Sequence, residues 1–276
     1  MIAAGTVVVS DLDQTLIYSS ATLRLLEADQ DAPRLVCVEV YQGAPLSFVT
    51  ETAAGHLTDL AEAGVFVPAT TRTIEQFRRV HLPGPAPKFA LCANGGRLLR
   101  DGIEDLDFTA AVTERLSGAG APFAEMLDEL HRASAGERGA SFVEKVRDAS
   151  GLFCYVVVNR AAMPASWVND LMAFAEERGW GVSVQGRKVY CVPAALTKAT
   201  AAREVSDMLG ATRLLAAGDS LLDAELLEVA DVAVRPRHGE LADASWSRPH
   251  LRVTTSAGVR AGEEITAWMV AEALGH

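Results

Sequence analysis

The chain has 276 residues, of which 49% are apolar and 22% charged, with a formal net charge of −11 at pH 7. That is enough apolar material for a full core in one large domain or two modest ones, and it excludes a disordered or fibrous chain. The acidic balance argues against a binder of nucleic-acid polymers, although a local cation can still admit a small anionic ligand.

Four cysteines, Cys37, Cys92, Cys154 and Cys191, lie far apart and form no CxxC pair. A zinc site or a disulfide framework is therefore not expected. Cys92, Cys154 and Cys191 sit in apolar runs and read as small buried hydrophobes in a reducing compartment. The first apolar run is only strand-length and leads into acidic residues, so it does not read as a signal peptide. No window of 18 apolar residues suggests a membrane span. The expectation is a cytoplasmic monomer or homodimer with no membrane partner.

In chain order, residues 6–10 (TVVVS) form the first predicted strand. Residues 33–42 (PRLVCVEVYQ) look extended and are closed by Gly43 and Pro45, which predicts a hairpin or flap. Residues 48–63 show helical spacing with Gly64 as a stop. Residues 65–69 predict a second strand, 73–80 a helix, and 89–93 a third strand. Residues 110–130 read as helix broken at 118–122, and 134–138 (SAGER) as a loop. Residues 141–146 and 152–158 are extended, the second strongly so. Pro164 starts a helix that runs to Arg178 with Gly179 as its stop. Residues 182–184 and 188–192 flank Gln185-Gly186-Arg187, a predicted hairpin. Residues 199–209 predict a helix ending at Gly210, 214–217 a strand, 223–229 a helix and 232–234 a strand. Apolar strands alternating with helices imply an α/β, doubly wound, Rossmann-like core. The stretch from about 108 to 190 breaks the alternation and predicts an inserted α+β domain. The expected organisation is thus a core of 1–107 and 191–276 with an insert of 108–190.

Charged and hydroxyl residues cluster where the predicted strands end. The first strand runs into Asp11-Leu12-Asp13-Gln14-Thr15, and the strand at 214–217 into Gly218-Asp219-Ser220-Leu221-Leu222-Asp223. Carboxyl ends of parallel strands are where α/β sheets bind ligands. Two clusters of hard oxygen donors suit Mg²⁺ with a substrate phosphate. Asp is equally at home in turns and as a helix cap, so each cluster alone is ambiguous. The second strand runs into Thr70-Thr71-Arg72-Thr73, which suits phosphate binding at a helix start or a plain Thr cap. Lys198 opens a helix at the end the macrodipole disfavours for a cation, which asks for a reason.

The order DxDxT, Thr-x-Arg, Lys and GDSxxD resembles the haloacid dehalogenase (HAD) superfamily of phosphotransferases. Cys92-Ala93-Asn94-Gly95-Gly96 looks like the turn of the subfamily with a C2B-type (IIB) cap, which includes Cof-like and sucrose-phosphatase-like enzymes. Residues 218–226 (GDSLLDAEL) are especially similar to the latter branch. The stretch VPATTRT is also similar to HAD proteins associated with tellurium-resistance gene clusters.

The resemblance implies a Mg²⁺-dependent phosphomonoester hydrolase acting on a small sugar phosphate or nucleoside monophosphate. It implies Asp11 as nucleophile, Asp13 as general acid/base, Thr70 as phosphate-binding hydroxyl and Lys198 as the cation steadying the nucleophile and the transferred group. Asp11, the Asp13 backbone carbonyl, Asp219 and Asp223 would hold the metal, and 108–190 would be the cap. The acidic neighbours of Asp13 would raise its pKa. Thr71, Arg72, Asn94 and Gly95 on the core, with Arg187 and Lys188 on the cap hairpin, are candidate substrate contacts. Arg187 and Lys188 are equally readable as a solvated tip, and Asn94-Gly95 as a tight turn. His238 is a candidate to face the site. Gln14, Leu222 and Thr71 depart from the family pattern without removing an essential charge. A phosphomutase or phosphotransferase with the same chemistry, or a non-catalytic module binding a phosphorylated ligand, fits the same residues.

Overall fold

The computed structural model describes residues 5–136 and 139–275, and the chain divides into two compact units. The first unit begins with β1 (Thr6–Ser10), β2 (Tyr18–Ser19), β3 (Leu35–Tyr41), β4 (Ala44–Thr50), α1 (Glu51–Glu62), β5 (Phe66–Pro68), α2 (Ile74–Phe77), β6 (Phe89–Cys92), β7 (Arg97–Arg100) and β8 (Ile103–Glu104). The second unit, Leu106–Leu196, holds α3 (Leu106–Leu116), α4 (Phe123–Ala135), β9 (Val143–Ala149), β10 (Phe153–Val158), α5 (Ala165–Glu176), β11 (Trp180–Gln185) and β12 (Lys188–Pro193). The chain then returns to the first unit with α6 (Lys198–Leu209), β13 (Arg213–Ala217), α7 (Ala224–Val229), β14 (Val232–Arg235), α8 (Glu240–Asp243), β15 (Leu251–Val253) and α9 (Val259–Leu274).

The central sheet is parallel, in the order β15-β14-β13-β1-β5. Every residue of β1 is buried, as its continuous apolar run requires of a strand covered on both faces. The chain leaves β1 for β5 on one side and, after the insert, comes back to β13 on the other. That reversal makes the carboxyl end of β1 the topological switch point. Register aligns the ends: Ser10 lies opposite Ala217 and Pro68. The segments beginning at Asp11, Gly218 and Ala69 therefore emerge side by side. Leu57 and Leu60 of α1 and Ile265, Trp268 and Met269 of α9 bury the sheet in one cluster with Val8 and Leu215. Each such side chain contributes about 1.5–3 kcal/mol by leaving water.

Two elements differ from the expectation, the start of the helix at 48–63 and the pairing of the strand at 89–93, while the hairpin at 33–42 matches it. Residues 48–50, predicted helical, close strand β4, because Phe48 pairs with both Tyr18 and Cys37. Thr50 then caps α1, its hydroxyl accepting from the Ala53 N–H. The predicted flap is a hairpin whose two-residue turn, Gln42-Gly43, has both φ values positive (51° and 78°) as a type I′ turn needs. The strand at 89–93 meets the central sheet through a single parallel bridge, Ala69 to Leu91. Its main pairing is antiparallel, in a sheet ordered β6-β7-β8.

The second unit packs α4 and α5 with an antiparallel sheet ordered β11-β12-β10-β9. The expected boundaries at 107 and 190 fall inside α3 and β12, and each of those elements belongs whole to this unit. In β12, Cys191 and Val192 complete the pairing with β10 and β11. Of the predicted loop at 134–138, Ser134 and Ala135 end α4, and residues 137 and 138 lie outside the described residues. No helix among the described residues is long and apolar enough to cross a membrane.

Candidate active site at the strand ends

Asp11 follows β1 directly, its N–H donating to Ala217 O at 2.9 Å. The chain then makes one helical turn, with Leu16 N and Ile17 N both donating to Leu12 O. That turn returns the Thr15 hydroxyl to Asp11 Oδ2 at 3.3 Å. Gln14, with φ 63°, takes the left-handed conformation the turn demands. His238 donates from Nε2 to the Gln14 carbonyl at 2.9 Å and accepts from Gly258 N at Nδ1. Burial drives the His238 pKa down to about 4, so the ring is neutral. It braces this turn rather than presenting a charge to a ligand.

Lys198 is the first residue of α6, whose cap is the Thr197 hydroxyl accepting from Thr200 N. Its ammonium, 1% exposed, donates to Asp11 Oδ1 and to Asp223 Oδ1, both at 2.6 Å. Asp223 uses its other oxygen to accept from the N–H groups of Asp219 and Ser220 and from the Ser220 hydroxyl. It thereby shapes the loop that carries Asp219. Gly218 makes this possible: a Cβ there would come within 2.3 Å of Asp223 Cβ. Gly239, at φ 93°, does the same for Asp219, whose Oδ2 would lie 2.6 Å from an added Cβ.

Asp11, Asp219 and Asp223 each offer an oxygen within 4.8 Å of the others. Three buried carboxylates thus face one lysine. Burial, with Asp223 and Asp13 adding to it and Lys198 opposing, pushes Asp11 up to about 7. Burial and the neighbouring Asp11 and Asp223 carry Asp219 well above the carboxylate range. Burial alone would lower Lys198, but Asp11 and Asp223 hold it above its usual value. A cluster with this surplus of buried negative charge and only oxygen donors fits a hard divalent cation such as Mg²⁺. Asp11, Asp219 and Asp223 would supply its carboxylates. The Asp13 side chain stands apart from them, turned to Arg72.

Thr70 N donates to Leu91 O, and the Thr70 hydroxyl accepts from Arg72 N at 3.1 Å. Asn94 and its neighbour support this loop from behind: Ala93 N donates to Arg72 O and Asn94 N to Thr70 O. Asn94 and Gly95 are buried. A Cβ on Gly95 would sit 2.8 Å from Thr197 O and 2.9 Å from Ala201 Cβ. The predicted turn therefore seats the start of α6, and with it Lys198. Arg72 lies between two carboxylates. Its Nε and Nη2 donate to Asp13 (2.7 and 2.8 Å), and its Nη1 and Nη2 donate to Glu39 (2.8 and 2.9 Å). Thr71 is buried beside it.

In the second unit, Arg187 pairs with Glu144 at the surface and donates from Nε to Val158 O. The Lys188 ammonium lies over the Tyr155 and Tyr190 rings, at 5.6 and 5.8 Å. The sequence reading missed Glu39, Thr15 and Gly239. Only Thr15 carried a signal, as the last residue of DxDxT.

No protein-family model and no curated protein matches this chain. Solved structures do. The sucrose-phosphatase of Synechocystis sp. PCC6803, in complex with sucrose and phosphate, aligns over 97% of both chains at 18% identity and a TM-score of 0.65. A HAD-superfamily phosphatase from Bacteroides thetaiotaomicron covers 97% of this chain and 96% of its own, at 14% identity and a TM-score of 0.52. A subclass IIB sugar phosphatase covers 98% and 99%, at 8% identity and a TM-score of 0.53. Nothing in these comparisons supports the narrower likeness of VPATTRT to proteins of tellurium-resistance clusters. The chain has the fold of the HAD subclass IIB phosphatases, a parallel α/β core interrupted by an α+β unit, with a buried acidic cluster at the ends of its central strands.

Proposed function

We propose that the protein is a Mg²⁺-dependent phosphomonoester hydrolase that works through an aspartyl-phosphate on Asp11. The observation that carries this reading is the contact of one buried ammonium, Lys198 Nζ, with Asp11 and Asp223 at 2.6 Å beside Asp219. Lys198 holds Oδ1 of Asp11, which directs Oδ2 toward the phosphorus. As the Asp11 oxygen bonds to phosphorus, the ester P–O bond breaks and the leaving oxygen takes its electron pair and a proton from Asp13. A water then attacks the phosphoryl group and gives its proton to Asp13, which frees Asp11 and inorganic phosphate. The Thr70 hydroxyl, already accepting from Arg72 N, has its proton left to donate to a phosphoryl oxygen. Lys198 and the bound cation offset the repulsion between a carboxylate and a phosphate dianion.

The substrate class is a small phosphorylated metabolite, with a sugar phosphate favoured because a structural relative holds sucrose and phosphate. The inserted unit acts as the cap that selects the leaving group, and Arg187 and Lys188 on its hairpin contribute to that choice. The test is phosphate release from a panel of sugar phosphates and nucleoside monophosphates. It is run with Mg²⁺, with EDTA, with glycerol as a competing acceptor, and with Asp11→Asn. The expected result is release that EDTA and Asp11→Asn both abolish. Release that survives either treatment would overturn the assignment. Phosphoryl transfer to glycerol in place of water would make the protein a transferase with the same chemistry.

A further inference from the structure

We infer that Glu39, on the β3–β4 hairpin and outside every motif of the site, is a positioning residue for proton transfer by Asp13. The inference rests on the reading of Asp13 as the acid that protonates the leaving group.

Glu39 has a fully buried side chain (0% exposed), and each of its oxygens is committed. Oε1 accepts from Arg72 Nη1 at 2.8 Å and from Arg79 Nε at 3.3 Å. Oε2 accepts from Arg72 Nη2 at 2.9 Å and from the Ser47 hydroxyl at 2.7 Å. Burying a carboxylate costs several kcal/mol, which pairing often only offsets. An apolar residue facing the core from a hairpin would be the cheaper solution if the hairpin merely had to be pinned down.

The arrangement around Arg72 shows what the carboxylate does. A guanidinium has two forks at a fixed angle in one plane. Arg72 gives the Nη1/Nη2 fork to Glu39 and the Nε/Nη2 fork to Asp13. Filling the first fork from a rigid, buried partner sets the plane and rotation of the second. Asp13 is 42% exposed, and Arg72 donates to both of its carboxylate oxygens, to Oδ2 from Nε and to Oδ1 from Nη2. Its carboxyl is oriented through Arg72, and Arg72 through Glu39. Ser47 and Arg79 lock Glu39 in turn.

A role of this kind differs measurably from a merely structural one. In a covalent mechanism kcat/KM reports events up to departure of the leaving group. The ratio of kcat/KM values for two esters in one preparation is also independent of how much of the protein is folded. Phenyl phosphate expels a basic phenolate that needs a proton; p-nitrophenyl phosphate expels a stable one that does not. In Glu39→Gln with Mg²⁺, kcat/KM for phenyl phosphate should fall about tenfold or more relative to p-nitrophenyl phosphate. Glu39→Asp, which restores a carboxylate, should recover part of that ratio. Ser47→Ala, which removes one of the two hydrogen bonds to Oε2 of Glu39, should move it the same way by roughly threefold, and it serves if the Gln variant does not fold. An unchanged ratio in these variants, or equal losses on both esters, overturns the inference while leaving the phosphatase reading intact. A wild-type protein that releases no phosphate, or an Asp11→Asn variant as active as wild type, would remove the reading itself and the inference with it.

Discussion

Lys198 in the first unit and Arg187 in the second are both cations paired with carboxylates, and they differ in nearly everything else. Lys198 is 1% exposed and bonded to two aspartates that are also buried. Arg187 and Glu144 are 63% and 42% exposed. Water already solvates the second pair, so its net worth is about 0–1 kcal/mol. The first pair has given up its hydration, and pairing leaves carboxylates in surplus. A fold keeps such an arrangement when the desolvated charges perform work, whereas an exposed pair needs no such reason.

Substitutions test this contrast directly. The largest expected effect is on Asp11→Asn, which removes the charge of the proposed nucleophile and should lower phosphate release by roughly 10⁴-fold or more. Retained activity would place the chemistry elsewhere. Asp13→Asn should cost about 10²–10⁴-fold, the usual range for an acid and base, and least with p-nitrophenyl phosphate in the leaving-group step. Lys198→Met leaves Asp11 and Asp223 buried without their cation. It should destabilise the protein by about 3–5 kcal/mol in urea unfolding, in addition to losing activity. A loss under about 1 kcal/mol would make the Lys198 pairing worth no more than the exposed Arg187–Glu144 pair. Arg187→Ala should change stability by about 1 kcal/mol or less. Its effect should lie in the ranking of phosphoesters rather than in hydrolysis of p-nitrophenyl phosphate.

The pH dependence sharpens the same point. Asp11 in the folded, metal-free protein titrates near 7 instead of 3.8. Between those values the native state binds more protons than the unfolded state, so this group lowers stability as pH rises from about 4 to 7. His238, depressed to about 4, acts in the opposite sense, raising stability as pH climbs toward 6.5. Comparing wild type with Asp11→Asn in EDTA cancels the histidine. The melting temperature of the variant relative to wild type should therefore rise from pH 5 to pH 7.5. Mg²⁺ should stabilise wild type progressively over the same interval. A difference that stays flat with pH would mean that Asp11 is not held in the desolvated, anion-crowded state described above.

The site was legible where charge follows an apolar strand. Asp11, Thr70 and Asp219 stand at the ends of buried runs, and a parallel sheet brings such ends together without further instruction. Lys198 stood out because a lysine at a helix start opposes the macrodipole. Its buried contact with Asp11 is the compensation. Glu39 gave no such sign. In PRLVCVEVYQ it is one acid within an apolar run of a predicted hairpin or flap, with no motif around it. It is buried because β3 and β4 fold back on the core and bring it to Arg72, 33 residues away. Gly239, which clears space for Asp219, was equally silent, whereas His238 stood out as a candidate to face the site and is found bracing Gln14. The helical reading of residues 48–50 failed for a related reason, since pairing with Tyr18 and Cys37 outweighs local spacing.

Local pattern therefore determined the parallel core, the presence of an insert and the identity of the groups at the strand ends. Those features depend on periodicity and on which residues punctuate it. Only the tertiary structure decided which carboxylates share Lys198, which side chain Arg72 orients, and why two glycines border Asp219. These are contacts between segments up to 187 residues apart. Their energies depend on burial, which no stretch of sequence possesses until the chain has closed around it.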